Sequence, residues 1–283
     1  MSQIRQIAIV CNPQAGKGKS LRLSRQIQQQ LQTRQIAHTI FSDTWPVNFD
    51  GFTDVFIAGG DGTLNYFINR YPNISIPLSI FKGGSGNDFA WKLYGNDSFE
   101  KHLDRALNSE PKLVDAGLCN GYYFLNGVGI GFDGEVVQAM GKRRFISAGY
   151  LAYLWTVIKK IAFYREKELT LIYDGVETSD RYFLLSIANG SRYGGGFMVA
   201  PHAEVNDGLL DLVKIGCIHR LRRLIYLPKM EKGEHLGLSF VSSYRVKKVV
   251  VKSAEKIAAH LDGELMVSDF FEIEILPGKF KFS

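Results

Sequence analysis

Cysteine is scarce in this 283-residue chain. It has three, Cys11, Cys119 and Cys217, far apart and with no CxxC pair. That spacing builds neither a disulfide framework nor a zinc ribbon, and a reducing compartment is the natural reading. Eight prolines leave no room for a long Pro-rich linker. Long hydrophobic runs are missing as well. The longest strongly apolar stretch, residues 150–158, falls well short of the ~18 residues a membrane span needs. The apolar run in the opening MSQIRQIAIVCNP is too short for a signal peptide. The expectation is a soluble, cytoplasmic protein, or one peripheral at the inner membrane surface. What the chain does have is a 46% hydrophobic and 12% aromatic content, enough for a substantial core and against disorder. Its 34 basic and 28 acidic residues leave a net charge of +6. That balance suits an anionic ligand such as a nucleotide, an anionic membrane, or nucleic acid, and decides among them nothing by itself.

The first third alternates short apolar runs with helical spacing. Residues 7–10 (IAIV), 39–41, 54–58 (DVFIA) and 78–81 (LSIF) read as strands. Leu23, Ile27 and Leu31 recur every fourth residue, the spacing of one helix face. Strand, loop and helix in repetition predict a mainly parallel sheet covered by helices, with ligands at the carboxyl ends of the strands. From about Val114 strand patterns dominate: 122–126, 169–173, 182–188, 209–215, 245–251, 257–261 and 270–276. Asp174-Gly175 and Asp262-Gly263 mark hairpin turns. This texture predicts an antiparallel β-sandwich, interrupted by one long helix over 145–163. The domains expected are 1–113 and 114–283, with the last residues returning to the first.

Three glycine-rich loops follow predicted strands. The first, NPQAGKGKS at 12–20, has the wrong glycine spacing for a P-loop, since position 13 is Pro. It reads either as an anion site at a helix start or as a polar turn. The second, Gly59-Gly60-Asp61-Gly62-Thr63, lets backbone N–H groups approach phosphate oxygens. Asp61 there needs a cationic partner, and a metal bridging phosphates would serve. A carboxylate beside three glycines is expected to have little packing role. The third, Gly83-Gly84-Ser85-Gly86-Asn87-Asp88, repeats the design, and the two would converge on one pocket. A further run, Gly129-Ile130-Gly131-Phe132-Asp133-Gly134, matches a dinucleotide fingerprint. The acidic residue such a site needs ~20 residues on is missing, so a nicotinamide-dependent oxidoreductase is disfavoured.

These pieces resemble the bacterial diacylglycerol kinase catalytic family, lipid kinases that include the sphingosine kinases and are more distantly related to NAD kinases. The matching segments are NPQAGKGK at 12–19, GGDGTLN at 59–65, GGSGNDFA at 83–90, YFLNGVGIGFDGEV at 123–136, NDGLLDL at 206–212 and LDGE at 261–264. The resemblance implies a phosphofructokinase-like α/β domain holding ATP, a C-terminal β-sandwich, and substrate in the cleft between them. It implies nucleotide contacts at Gly59, Gly60, Asp61, Gly62, Thr63, Leu64, Asn65 and Ser85, and at Ser42 or Thr44. It implies Mg²⁺ at Asp207 with the carbonyls of Leu210 and Leu212, and Glu264 as general base. The reaction implied is transfer of the γ-phosphoryl of ATP to the hydroxyl of a lipid alcohol such as diacylglycerol.

Departures accompany the match. Tyr66 stands where the family favours Glu, and Ser85 where it usually has Thr. Ser42 precedes Gly59 by only 17 residues, as if a helix were missing. These motivate an alternative, a weak or inactive nucleotide- or lipid-binding protein on the same fold. An NAD kinase-like enzyme is the less favoured third reading, because no Asn-Glu dipeptide is present. Without the resemblance, Asp207-Gly208 and Asp262-Gly263-Glu264 read as ordinary turns. Nucleic-acid binding lacks a recognised module. The segment 140–167 has Lys142, Arg143 and Arg144 before an aromatic and aliphatic stretch. It reads either as a core helix with basic ends or as a helix lying on an anionic membrane. The cluster at 219–223 (HRLRR) would add to that field.

Overall fold

A computed structural model describes residues 4–141, 158, 160, 161 and 163–283. Most of the expected 145–163 helix, including Lys142, Arg143 and Arg144, lies outside them. The chain divides into two compact units. One comprises residues 1–116 and 277–283, the other 117–276.

The N-terminal unit is built on four parallel strands, β1 (Gln6–Cys11), β2 (Ala37–Phe41), β3 (Asp54–Gly59) and β4 (Leu78–Lys82), in the order β4-β3-β1-β2. Strands β1 and β3 are almost wholly buried, which is why they read as continuous apolar runs rather than alternations. Ile7, Ile9, Phe56, Ala58 and Phe81 pack with Ile27 and Leu31 of α1 (Lys19–Thr33) and with Leu103 and Ala106 of α4 (Phe99–Asn108). Helices α2 (Asp61–Arg70) and α3 (Asp88–Tyr94) bury Leu64, Phe67, Phe89 and Ala90. The chain's end returns here: Phe282 pairs with Leu78 of β4 and meets the Phe89 ring edge-on.

No helix occupies residues 42–53, so β2 passes to β3 through an irregular segment. Aromatic packing holds it instead. Phe49 contacts Phe41, Phe52, Phe67 and Tyr71, and Trp45 lies edge-on to Tyr66 at 5.4 Å. The Trp45 indole N–H donates to the Cys11 carbonyl at 3.2 Å.

The C-terminal unit is antiparallel. It contains the end of β5 (Lys112–Cys119), then β6 (Tyr122–Phe124), β7 (Gly127–Gly131), α5 (Phe132–Gly141), β8 (Lys167–Tyr173), β9 (Val176–Tyr182), β10 (Leu184–Ala188), β11 (Leu210–Ile215), α6 (Arg220–Glu231), β12 (Val241–Val246), β13 (Lys248–Leu261) and most of β14 (Glu264–Phe282). The strand order is β12-β11-β10-β7-β13-β14, with β8 and β9 added on β13. The expected strand 245–251 is in fact two, because the chain turns between β12 and β13 at Lys247. An irregularity between Lys252 and Ile257 lets β13 pair with β8 in its first half and β7 in its second. Period-two alternation separates two cores. Val128, Ile130, Leu185, Ile187, Leu210 and Leu212 lie in one; Leu184, Ala188, Val213 and Ile215 lie in the other, beneath α5 and α6. Neither of those helices was expected from the sequence.

Candidate active site

The three glycine loops meet at the carboxyl edge of the parallel sheet. A Cβ on Gly60 would lie 2.7 Å from the Cα of Gly84, and one on Gly16 would lie 2.2 Å from the Gly83 carbonyl oxygen. The Gly83 N–H donates to the Gly59 carbonyl at 2.8 Å. These glycines are therefore needed to let the loops touch one another, as much as to admit a ligand. Helices α1 and α2 both start here, behind Gly18 and Gly60. Glycine has no side chain to cap a helix; the Lys19 N–H at the start of α1 is taken by the Gly16 carbonyl, and no side chain caps the N–H groups that follow it or those of α2. Gly16, Lys17 and Gly18 are successively left-handed, which turns their backbone out of β1 and into α1.

Asp61 overturns the expectation that it has little packing role. Its two carboxylate oxygens accept from the backbone N–H groups of Asp88 and Phe89, each at 3.1 Å. It thus caps α3 from another loop. The α3 N-cap residue, Asn87, is left-handed, and its side chain is committed to Gly84, accepting from the N–H at 2.8 Å and donating to the carbonyl at 2.9 Å. Of the remaining nucleotide candidates, Gly62 and Ser85 are exposed, while Thr63 and Asn65 are buried in α2. Leu64 is 2% exposed and is a core side chain; only its backbone could meet a ligand. Ser42 is half-buried, with its hydroxyl directed to Asp43, and Thr44 is exposed. Tyr66 packs on Trp45 and accepts from the Arg70 guanidinium at 3.1 Å, so it serves the aromatic segment that replaces a helix.

In the C-terminal unit, Asp262 and Gly263 form the β13–β14 turn with positive φ at both, and Glu264 follows it, exposed. Asp262 does more than turn the chain. Its carboxylate accepts from the N–H groups of Leu125, Asn126 and Gly127 at 2.7, 2.8 and 3.0 Å, which fixes the residues entering β7. The sequence offered no signal for this beyond an Asp-Gly pair. The Gly129–Gly134 run forms strand β7, antiparallel to both neighbours, then α5. Its glycines are packing sites: a Cβ on Gly129 would meet His260 at 2.5 Å, and one on Gly134 the Ala258 carbonyl at 2.1 Å.

Asp207 is exposed. It accepts from the Leu209 N–H at 3.0 Å and faces Arg245 at 3.7 Å. The Gly216 N–H donates to the Phe240 carbonyl at 2.9 Å, and hydrogen-bonded pairs alternate along an antiparallel ladder. By that parity the carbonyls of Leu210 and Leu212 face β12, opposite Val246 and Tyr244. A metal there would use their second lone pairs. Among the described residues no group of three or more His, Cys, Asp or Glu side chains is placed to hold a metal.

A parallel α/β unit whose glycine loops converge at two helix N-termini, joined to an antiparallel β unit, defines a two-domain architecture with a site of the kind that receives phosphates. Comparison with known proteins makes this specific. Residues 6–119 match the family model described as diacylglycerol kinase catalytic domain, and residues 126–282 that described as YegS C-terminal NAD kinase beta sandwich-like domain. A "Probable lipid kinase YegS-like" of Chromohalobacter salexigens is 30% identical over 81% of this chain and 75% of its own. A diacylglycerol kinase of Bacillus subtilis is 28% identical over 81% and 74%. A crystal structure of a diacylglycerol kinase from Bacillus anthracis superposes with a TM-score of 0.72 at 20% identity, covering 100% of this chain and 97% of the other. The chain belongs to the diacylglycerol kinase family of lipid kinases.

Proposed function

We propose that the protein transfers the γ-phosphoryl group of ATP to the hydroxyl of a lipid alcohol, with diacylglycerol the first substrate to test. The observation that carries the nucleotide assignment is the meeting of two helix N-termini, α1 and α2, neither capped by a side chain, on glycine loops packed backbone to backbone. Such ends bind phosphate because unpaired N–H groups and the helix dipole both favour negative charge. Asp61 stands in the same loop. Its hydrogen bonds to α3 orient its carboxylate, so it acts first as the brace of the phosphate loops.

Phosphoryl transfer asks the protein mainly for positioning and charge neutralisation. Mg²⁺, when bound with ATP, supplies neutralisation of the phosphate charge. Asp207 fits a hydrated Mg²⁺ rather than an all-protein cage, since Mg²⁺ keeps several waters and takes one or two carboxylates. Glu264 is the group assigned to accept the lipid hydroxyl proton. Its exposed place after a hairpin held by Asp262 gives a carboxylate on a rigid support. The test is incubation with ATP, Mg²⁺ and mixed micelles of diacylglycerol, against Asp207→Ala. Transfer by the parent, weakened in the variant together with loss of Mg²⁺-dependent thermal stabilisation, supports the reading. A variant that keeps the parent's Mg²⁺ stabilisation removes Asp207 from it.

A further inference from the structure

The turn that presents Glu264 has a third anchor. Leu261 and Glu264 pair across it, and Asp262 and Gly263 between them both have positive φ. A two-residue turn of this kind leaves the N–H groups of its central residues outside the ladder, and each needs a partner elsewhere. Asp262 ties the turn to β7. Its carboxylate takes the three N–H groups at 125–127, and its own N–H donates to the Gly127 carbonyl at 3.0 Å. The Gly263 N–H goes instead to a side chain, donating to Nδ1 of His260 at 3.3 Å. Gly263 is bonded directly to Glu264, so this contact helps to set the backbone from which the Glu264 carboxylate leaves.

Neighbouring strands place His260 for that contact. It lies in β13 opposite Gly129 of β7 and Leu265 of β14, and it is buried. A Cβ on Gly129 would stand 2.5 Å from Nε2 of His260 and 3.0 Å from the Cβ of Asp133. The missing side chain makes room for an imidazole and a carboxylate side by side, which gives the Gly129–Gly134 run a use other than nucleotide binding. Nε2 lies 3.9 Å from Oδ2 of Asp133, and the same oxygen accepts from the Tyr193 hydroxyl at 2.7 Å. The Tyr193 ring stands edge-on to the imidazole, with centroids 4.9 Å apart. Because a donor faces Nδ1, that nitrogen is bare, and the proton of the neutral ring sits on Nε2, towards Asp133. At 3.9 Å the carboxylate orients Nε2–H through its charge rather than by a direct hydrogen bond. The opposite tautomer would set N–H against N–H at Gly263.

We propose that His260 is a positioning residue for phosphoryl transfer: its Nδ1 holds the turn that carries Glu264, and Asp133, steadied by Tyr193, keeps the ring in the tautomer that can do so. This deepens the reading of Glu264 as the base and rests on it.

The experiment uses the full chain, isotopically labelled at its histidine and glycine nitrogens for NMR at mildly alkaline pH, without ATP or lipid. The neutral His260 ring should carry its proton on Nε2, and the Gly263 amide should exchange slowly with solvent. Asp133→Asn should bring the Nδ1–H tautomer into the spectrum. Two substitutions then split the ring's two ends. His260→Asn puts a carboxamide oxygen where Nδ1 was; His260→Gln puts an amide where Nε2 was and leaves Gly263 without its acceptor. Gly263 exchange should quicken at least ~10-fold in the Gln variant and stay slow in the Asn variant. In the lipid kinase assay kcat should fall ~10–100-fold in His260→Gln, with KM for ATP unchanged, and His260→Asn should recover most of that loss.

A neutral ring protonated on Nδ1, or a spectrum that Asp133→Asn leaves unchanged, would overturn the proposal. Both results are read without altering His260, so they decide even if its variants fail to fold. Equal loss of kcat in the Gln and Asn variants would also overturn it, making His260 a packing residue. A chain that shows the Nε2–H tautomer and a protected Gly263 amide yet phosphorylates no lipid overturns the kinase reading alone. A chain that phosphorylates lipid as well with His260→Gln as with His260→Asn overturns this one alone.

Discussion

Asp61 carries a structural duty that can be weighed. Removing its carboxylate by Asp61→Ala strips two N–H groups, those of Asp88 and Phe89, of an ionised acceptor. A hydrogen bond to a charged group contributes ~1.5–3 kcal/mol, and loss of a helix cap costs ~0.5–2 kcal/mol. Asp61 is half-buried, so water recovers part of the loss. The expected cost is ~2–3 kcal/mol. At about 3 °C per kcal/mol this lowers the melting temperature by ~6–9 °C. Asp61→Asn keeps one acceptor oxygen and sets its NH2 against the other N–H, so it should lose at least about half of that. Thermal unfolding followed by circular dichroism, with and without ATP, reads both. If Asp61→Ala melts within ~1 °C of the parent, the cap is not worth what its geometry implies. The pair also separates brace from chemistry: an Asn variant that is more stable than the Ala variant yet no more active would give Asp61 a direct part in transfer.

Three further outcomes follow from single contacts. Gly84→Ala should destabilise by ~1–3 kcal/mol, because its Cβ would stand 2.6 Å from the Gly60 Cα with backbone on the other side; denaturant titration checks it, and an unchanged midpoint would refute the loop-to-loop contact. Asp262→Ala should cost at least ~3 kcal/mol in unfolding of the C-terminal unit, since three N–H groups lose one acceptor, and a loss below ~1 kcal/mol would contradict it. His102, buried against Phe81 and Tyr94, is held down to about 4 by burial and then by Lys82 and Arg105. Its unfolded-state value is ~6.5, so the unfolded chain binds the extra proton between these values. Stability is therefore full above pH ~6.5 and falls by up to ~3 kcal/mol as pH drops towards 4. His102→Gln should flatten that slope in melts taken between pH 7 and 4.5.

The parallel half was readable because buried strands write themselves as apolar runs, and β3 and β4 run directly into glycines. Ile7–Val10 and Asp54–Ala58 fall inside β1 and β3 for that reason. The convergence of the 59–65 and 83–88 loops was also legible, since neighbouring parallel strands deliver their loops to one edge. What those residues do there was only partly legible. Asp61 was read as a lone loop carboxylate because its partners are N–H groups 27 and 28 residues away, and a backbone donor leaves no mark in sequence. Tyr66 looked like a defect. It is the partner of Trp45, in a segment where rings replace a helix. Helices α5 and α6 were missed for different reasons. The first begins inside a glycine run that mimics another motif, and the second carries Pro228 and alternates Arg with aliphatics, which blurs its period.

Everything proposed for the site converges on phosphoryl transfer to a lipid by this chain. The direct measurement offers ATP labelled at the γ-phosphate, with Mg²⁺, to a panel of lipid alcohols in mixed micelles, for the parent and for Glu264→Gln. Glu264 is exposed, so its amide leaves the melting temperature unchanged. The amide cannot accept the hydroxyl proton, and transfer should fall ~10²–10⁴-fold. Label is expected in an organic-extractable lipid with the parent, and that fall with the variant. A folded parent that binds ATP and labels no lipid on the panel would contradict this expectation.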